Sequence, residues 1–221
     1  MEGALARMEA IGAALPASDG VASFNRMYLG VTRGVEAGLG AGTFADPAWM
    51  TRLDVEFANL YFAAVDAAGS DAPLPRAWEP LVAARSHPGI EPIQFALAGM
   101  NAHIDHDLPL AVVATCRELG TTPSEGTHHQ DYQRVDALLD AAEQSVRQSF
   151  ESGPGLALDH HLRAVADLVG NTTINSARAL AWDSALALWD LRDHRRGTDL
   201  YLDGLADAVA AASRLLLVAL P

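Results

Sequence analysis

The 221-residue chain contains no lysine; its 15 basic residues are all arginine, set against 28 Asp and Glu, and the formal net charge is -13. A long-range field of that sign repels phosphate backbones and anionic lipid, so neither nucleic acid nor a membrane surface is expected as a partner. Cys116 is the one cysteine, which excludes an intrachain disulfide and a thiolate metal cluster. Long apolar runs are missing too, and the stretch over 215–220 is far too short to cross a bilayer. Glu2 and Glu9 stand where a signal peptide needs positive charge and an unbroken apolar core, so the N-terminus reads as an ordinary helix of a cytoplasmic protein. There is no sequence repeat, phosphate-cradling glycine loop, GxSxG elbow or dinucleotide fingerprint. Strand signals are scarce as well, because Val, Ile and Thr do not gather into alternating runs. Half of the residues are hydrophobic, with much of that share in alanine, and the composition is that of an all-α protein.

In chain order the periodicity predicts a helical bundle of about ten helices, forming a single domain over residues 1–221. A first helix runs from Ala4 to Leu15 and ends at Pro16. Ser23 is placed to cap a second, which dissolves in Gly38, Gly40 and Gly42. Asp46-Pro47 opens a third, a capping carboxylate followed by proline at the first helical position. Trp49, Met50, Leu53, Phe57, Leu60, Tyr61 and Val65 make this helix apolar around much of its circumference, which predicts a central place. A short helix with Trp78 and Leu81 follows a proline-rich loop. Later helices are expected after Thr122-Pro123, from Asp159, from Ile174 to Arg192, and from Asp199 to Leu217.

The stretch QFALAGMNAHIDHDLPLAVV, residues 94–113, concentrates the chemistry. On a helix reaching Asp107, His103 and His106 are i,i+3 neighbours and His103 and Asp107 are i,i+4 neighbours, so all three share a side. Two imidazoles and a carboxylate converging among Phe95, Leu97, Ile104 and Leu108 suit either a divalent metal ion or a proton-transfer pair. His103, His106 and Asp107 are accordingly the expected metal ligands, with zinc, manganese or iron as the ion. Pro109 is expected to break the helix and leave a fresh N-terminus beside the cluster.

Other residues are candidates for the same pocket. Asp54 lies in register with Met50, Phe57, Ala58 and Tyr61, so it faces inward, either to pair with an arginine or to join the His103 cluster as a further ligand or base. Asp131 borders the apolar stripe that continues through Val135. Asp54, His106 and Asp131 form the catalytic candidate set, and Asn59, Tyr61, Asn101, Arg178 and Trp182 the substrate-binding set. Arg178 four residues before Trp182 would place a guanidinium over an indole for an anionic or carbonyl-bearing ligand, or pair with an inward Asp. His87, the adjacent His128 and His129, and the tandem His160 and His161 read as surface or capping residues.

The strings FNRMYLGVTRGVE, FADPAWMTRLDVEFANLYFAA, ALAGMNAHIDHDLPLAVV, HHQDYQRVDALL and ARALAWDSALALWDLR together resemble a bacterial family of unknown function, widespread in high-GC bacteria, over almost the whole chain. The resemblance implies an all-helical domain and carries no activity. A second, local likeness is to zinc-dependent phospholipase C, where a helix carries His, then Asp four residues later, then Pro and another His. His103, Asp107 and Pro109 match the first three, with Pro109 one place early and Val112 or Val113 where the last His belongs. Three functions follow as expectations. One is a metal-dependent hydrolase acting on a small or lipid-like substrate through a His/Asp-bound divalent ion. Another is a metal-free cyclase or isomerase of a hydrophobic small molecule, using a His/Asp pair. The third is a non-catalytic helical protein whose polar cluster ties helices together. Exposed apolar residues on the last helix suit a homodimer.

Overall fold

A computed structural model describes residues 1–137, 139 and 174–219. The architecture is all-α. Eight α-helices have defined bounds among the described residues, slightly fewer than the ten expected. They are α1 (Glu2–Ala14), α2 (Gly20–Gly40), α3 (Pro47–Ala68), α4 (Glu79–Ala84), α5 (Pro92–Met100), α6 (Leu108–Leu119), α7 (Ile174–Leu191) and α8 (Arg195–Leu216). A 3-10 turn (Arg76–Trp78) leads into α4, and a π-helical segment (Asn101–Asp107) joins α5 to α6. Residues 128–137 are helical as well. The expected helix from Asp159 and the tandem His160 and His161 lie outside the described residues.

Local chemistry accounts for most boundaries. Asp46 accepts a hydrogen bond from the Trp49 amide at 3.0 Å, with Pro47 at the first position of α3, as the dipeptide implied. The start of α2 differs from expectation. Asp19, not Ser23, is the cap, because its Oδ1 accepts from the Val21 amide at 2.8 Å. Ser23 lies inside the first turn and donates its hydroxyl hydrogen to the Asp19 carbonyl. Asp19 is in turn held by Arg85, so the cap also ties α2 to the end of α4.

Packing places α2 on α5, α3 on α6 and α7 on α6, while α8 runs across α5, the π segment and the 3-10 turn. Two apolar clusters result. One gathers Trp49, Met50, Leu53, Leu108, Val112, Tyr132 and Trp182. The other gathers Met8, Phe24, Tyr28, Tyr61, Trp78, Leu81 and Val209. Phe57 and Met100 pack against both, so the middle of α3 and the start of the π segment form the seam between them. Close approach of α2 and α5 beside this seam depends on Gly99, where a Cβ would lie 2.4 Å from Phe24 ring atoms and 2.7 Å from its Cβ. That contact admits only glycine without repacking. Among the described residues, no helix is long and apolar enough to cross a membrane.

Candidate functional site

The chain does not break at Pro109. α5, the π segment and α6 form one uninterrupted helical run from Pro92 to Leu119. Within the segment the ladder widens to i→i+5, and the Leu108 amide donates to the His103 carbonyl. Pro109 has no N–H to donate, and it sits where the ladder returns to the α register, so it is tolerated without opening a new helix N-terminus. Side-chain bonds pin the segment at both ends. At the start, Asn101 Nδ2 donates to the Val209 carbonyl at 2.9 Å and to Ser213 Oγ at 2.8 Å, anchoring it on α8. At the end stands Asp107.

Asp107 is 2% exposed and accepts three hydrogen bonds. Trp78 Nε1 and His103 Nδ1 reach Oδ2, each at 3.0 Å, and His106 Nδ1 reaches Oδ1 at 2.8 Å. Burial alone would raise this carboxyl, but the imidazole hydrogen bonds and the charge of the two rings together hold it below its ordinary value. An ionised carboxylate can only accept, so both imidazoles donate from Nδ1. His103 is also 2% exposed, and burial pushes its pKa down against the opposing pull of Asp107. It is therefore a neutral imidazole near pH 7, with its lone pair on Nε2. That atom is buried and has no hydrogen-bond partner among the described residues. His106 has a side chain 13% exposed, so the line His106–Asp107–His103 leads from the edge of the protein inward.

The surroundings of His103 are aromatic. Phe57 stacks on its ring face to face, 3.5 Å between centroids at 4°. Tyr28 meets it edge-on at 4.5 Å, and Phe24, Trp78 and Tyr61 stand 5.6, 6.0 and 6.1 Å away. Phe, Tyr and Trp make up only 6% of the chain, yet five of them enclose this one imidazole. Low polarity all round is what keeps it uncharged.

Two more buried polar atoms lack hydrogen-bond partners among the described residues, Tyr28 Oη on α2, whose ring meets His103, and Asp54 Oδ2 on α3. Thr32 donates its hydroxyl hydrogen to the Tyr28 carbonyl at 3.0 Å, and its side chain also acts on the Tyr28 phenol, opposing part of the rise that burial causes. Burial, and then the charge of Asp54, raise the Tyr28 phenol well above its ordinary value. Asp54 is 7% exposed and one helical turn from Phe57, and burial pushes its carboxyl up to about 7. Neither sequence-level alternative for Asp54 is realised as written. Among the described residues it pairs with no arginine, and it makes no hydrogen bond to His103, His106 or Asp107; the charges that bear on it are the Met1 amino group and Glu36.

The remaining candidates divide. Tyr61 lines the aromatic wall, with its hydroxyl bound to Asn25 Oδ1 at 3.1 Å. Asn101 anchors the π segment and does not bind at the His103 ring. Asn59 is exposed on α3. Asp131 belongs to a different place, where it accepts from the amides of Ala45 and Asp46 at 2.9 and 2.6 Å, from Thr127, and from Arg134. This corrects the catalytic assignment, because its lone pairs are spent holding the entry to α3. Arg178 is not free to receive a ligand over Trp182. It is buried, paired with Asp136 at 2.6 Å, donates to the Tyr132 carbonyl, and lies over the Tyr132 ring at 4.1 Å. Trp182 stacks on His129 at 4.5 Å. His128, expected as a surface or capping residue, is buried against Trp49 at 4.5 Å, and His87 is exposed as expected. The metal trio is brought together, but with Asp107 between the imidazoles and both of its oxygens engaged. Among the described residues, no group of three or more His, Cys, Asp or Glu is arranged to hold a metal ion. Phe24, Tyr28, Phe57 and Trp78 were legible only as core, and Trp78 as a carboxylate's donor had no signal beyond its indole N–H.

Fold and site together define an all-helical protein with a buried, carboxylate-oriented histidine inside an aromatic box, carried by a π-helical turn. The chain belongs to a family of unknown function, DUF5995, whose family model matches residues 1–219. Comparison with curated proteins and with solved structures finds no match.

Proposed function

We propose that the protein is an enzyme that moves a proton on a hydrophobic small molecule, as an isomerase or cyclase, with His103 as the base and Asp107 as its positioning residue. One observation carries this reading. His103 is neutral, its Nδ1–H is fixed on a buried carboxylate, and its Nε2 lone pair is left bare in an apolar enclosure. An unpartnered buried acceptor costs about 1–3 kcal/mol, a cost that purely structural polar clusters avoid by pairing every member. Carboxylate-bound Nδ1 selects the tautomer and stabilises the imidazolium once Nε2 has taken a proton. The aromatic walls suit an apolar substrate and oppose charge elsewhere.

Metal-dependent hydrolysis is the second reading, favoured by one feature: an imidazole backed by a carboxylate is also the outer support of metal-bound histidines. In that arrangement Asp107 stands behind His103 and not on the ion. Deuterium wash-in from D2O into a panel of hydrophobic ketones and alkenes, read by mass spectrometry with and without EDTA, separates the two. Exchange above the buffer rate that survives EDTA and is lost in His103→Gln supports proton transfer. Exchange abolished by EDTA and restored by zinc moves the assignment to the metal, and exchange unchanged in His103→Gln refutes the base.

A further inference from the structure

His103 is 2% exposed and its Nε2 is buried, so a substrate reaches that atom only after some element moves. The helices around it are held with very different firmness. α2 buries ten of its residues and α3 nine. α1, which packs on both, buries only Met8. Met8 itself is fully enclosed, and it belongs to the apolar cluster that contains Phe24, Tyr28, Tyr61 and Trp78, four of the five rings around the imidazole. Phe57, the fifth, packs against the same cluster.

The ties of α1 are few and lie mostly in water. Arg7 pairs with Asp66 at 2.6 Å and Glu9 with Arg33 at 2.7 Å, all four side chains being between 44% and 65% exposed. Exposed pairs of this kind stabilise little and are screened by salt. Arg7 also lies over the Phe62 ring at 4.6 Å. One buried bond reaches α1: Asn25 Nδ2 donates to the Met8 carbonyl at 2.9 Å, while Asn25 Oδ1 accepts from the Tyr61 hydroxyl at 3.1 Å. The helix with the least burial is thus latched onto a wall of the aromatic box. The turn over 15–19 that follows it is fixed at its far end, where Arg85 holds the Asp19 carboxylate and accepts from the Gly20 amide at 2.8 Å.

We propose that α1 is a lid over the His103 site. It swings about residues 15–19, withdraws Met8 from the aromatic cluster and releases Asn25 and Tyr61, so that an apolar substrate enters past them. This rests on His103 acting as the base, and it supplies the entry that the packed imidazole needs. Opening one lightly buried element costs less than global unfolding, and an unbranched, flexible methionine is a plug that can leave and refill its seat.

The test is the reactivity of the His103 lone pair toward diethyl pyrocarbonate, a small apolar acylating agent, with each modified histidine located by peptide mass spectrometry. His87, which is exposed, reports the reagent. His128, 3% exposed and stacked on Trp49 of the other cluster, reports openings that do not involve α1. Glu9→Cys with Arg33→Cys, joined by a short dithio-bismaleimide, fixes α1 on α2, and Cys116 is buried away from the linker. Joining should slow His103 labelling roughly 10-fold or more, reduction of the linker should restore it, and His128 should not change. Asp66→Asn with Glu9→Gln, which removes both surface pairs, should speed His103 labelling by roughly 2- to 30-fold. His103 labelled equally with α1 joined and free, His103 and His128 slowed alike, or a wild-type His103 that never labels overturns the lid. Deuterium exchange into a ketone that persists with α1 joined also overturns the lid and keeps the base. Labelling gated by α1, with no exchange into any ketone, keeps the lid and overturns the base.

Discussion

Asp54 makes the stability of this protein depend on pH in a direction opposite to that of most carboxylates. Burial pushes its carboxyl from 3.8 to about 7, with no arginine paired to it among the described residues. The native state therefore binds a proton more tightly than the unfolded chain does. Its contribution is fully present below about pH 3.8 and is lost as the pH rises through 7. A shift of about three units at 1.36 kcal/mol each gives roughly 4 kcal/mol. That is an upper bound, since water entering around an ionised carboxylate recovers part of it, and we expect about 2–4 kcal/mol at pH 8. Asp54→Asn removes the titration while keeping the shape. Relative to wild type it should be about equally stable at pH 4 and more stable by that amount at pH 8. The corresponding rise in melting temperature is about 2–4 °C per kcal/mol for a chain of this size. Urea unfolding at both pH values reads the difference directly. Comparison at a single pH also cancels the acid-side losses of His103 and Asp107, whose depressed values make the native state lose stability as pH falls below about 6.5 and then through the carboxylate range. Asp105, likewise pushed up to about 7 by burial, leaves a residual alkaline slope in the variant. A difference that is the same at both pH values, or an Asn variant less stable at pH 8, would refute the reasoning.

Three further outcomes are expected. Asp107→Asn leaves one oxygen for three N–H donors and removes a charge-assisted acceptor, so it should cost about 2–4 kcal/mol in urea unfolding and shift the His103 tautomer seen by 15N NMR. Tyr28→Phe should raise stability by about 1 kcal/mol, because it deletes a buried hydroxyl without a well-formed hydrogen bond; a loss of similar size would show that its contact with the Thr32 side chain is stabilising. Gly99→Ala forces the α5 backbone away from Phe24 and should destabilise by about 1–3 kcal/mol, while Gly34→Ala, in open space on α2, should be neutral or stabilising.

Much of this organisation was readable in the residues. Asp46-Pro47 announced α3, and the inward register of Asp54 along that helix was correct, as was the importance of 101–107. The π geometry was not readable, since spacing in a sequence cannot tell a 13-atom hydrogen-bonded turn from a wider one, and Pro109 looked like a break. Asp131 was placed in the wrong site for a related reason, and for Arg178 the structure shows the second of the two readings, pairing with an Asp, and not the ligand-binding one. Both are charged residues on apolar helix faces, as a site residue would be, and only long-range partners such as the Ala45 amide, 86 positions away, and Asp136 reveal them as structural. The aromatic box escaped notice because its members come from three separate stretches of chain, each of which reads as ordinary core.

The π turn also sets a reading frame for everything that follows it. A residue held in a widened turn is one more than an α-helix would need to cover the same rise, so α6 begins with its faces rotated by about 100° from where an unbroken α-helix would put them. Deleting one residue between His103 and Asp107 would let the rod close up without melting, yet the face of α6 that carries Val112 and Cys116 would turn away from the core it now packs in, and the i,i+4 spacing behind the His103–Asp107 bond would be lost. Length at this one turn thus couples the phase of the core to the pairing in the site, and a chain that lost either would lose both.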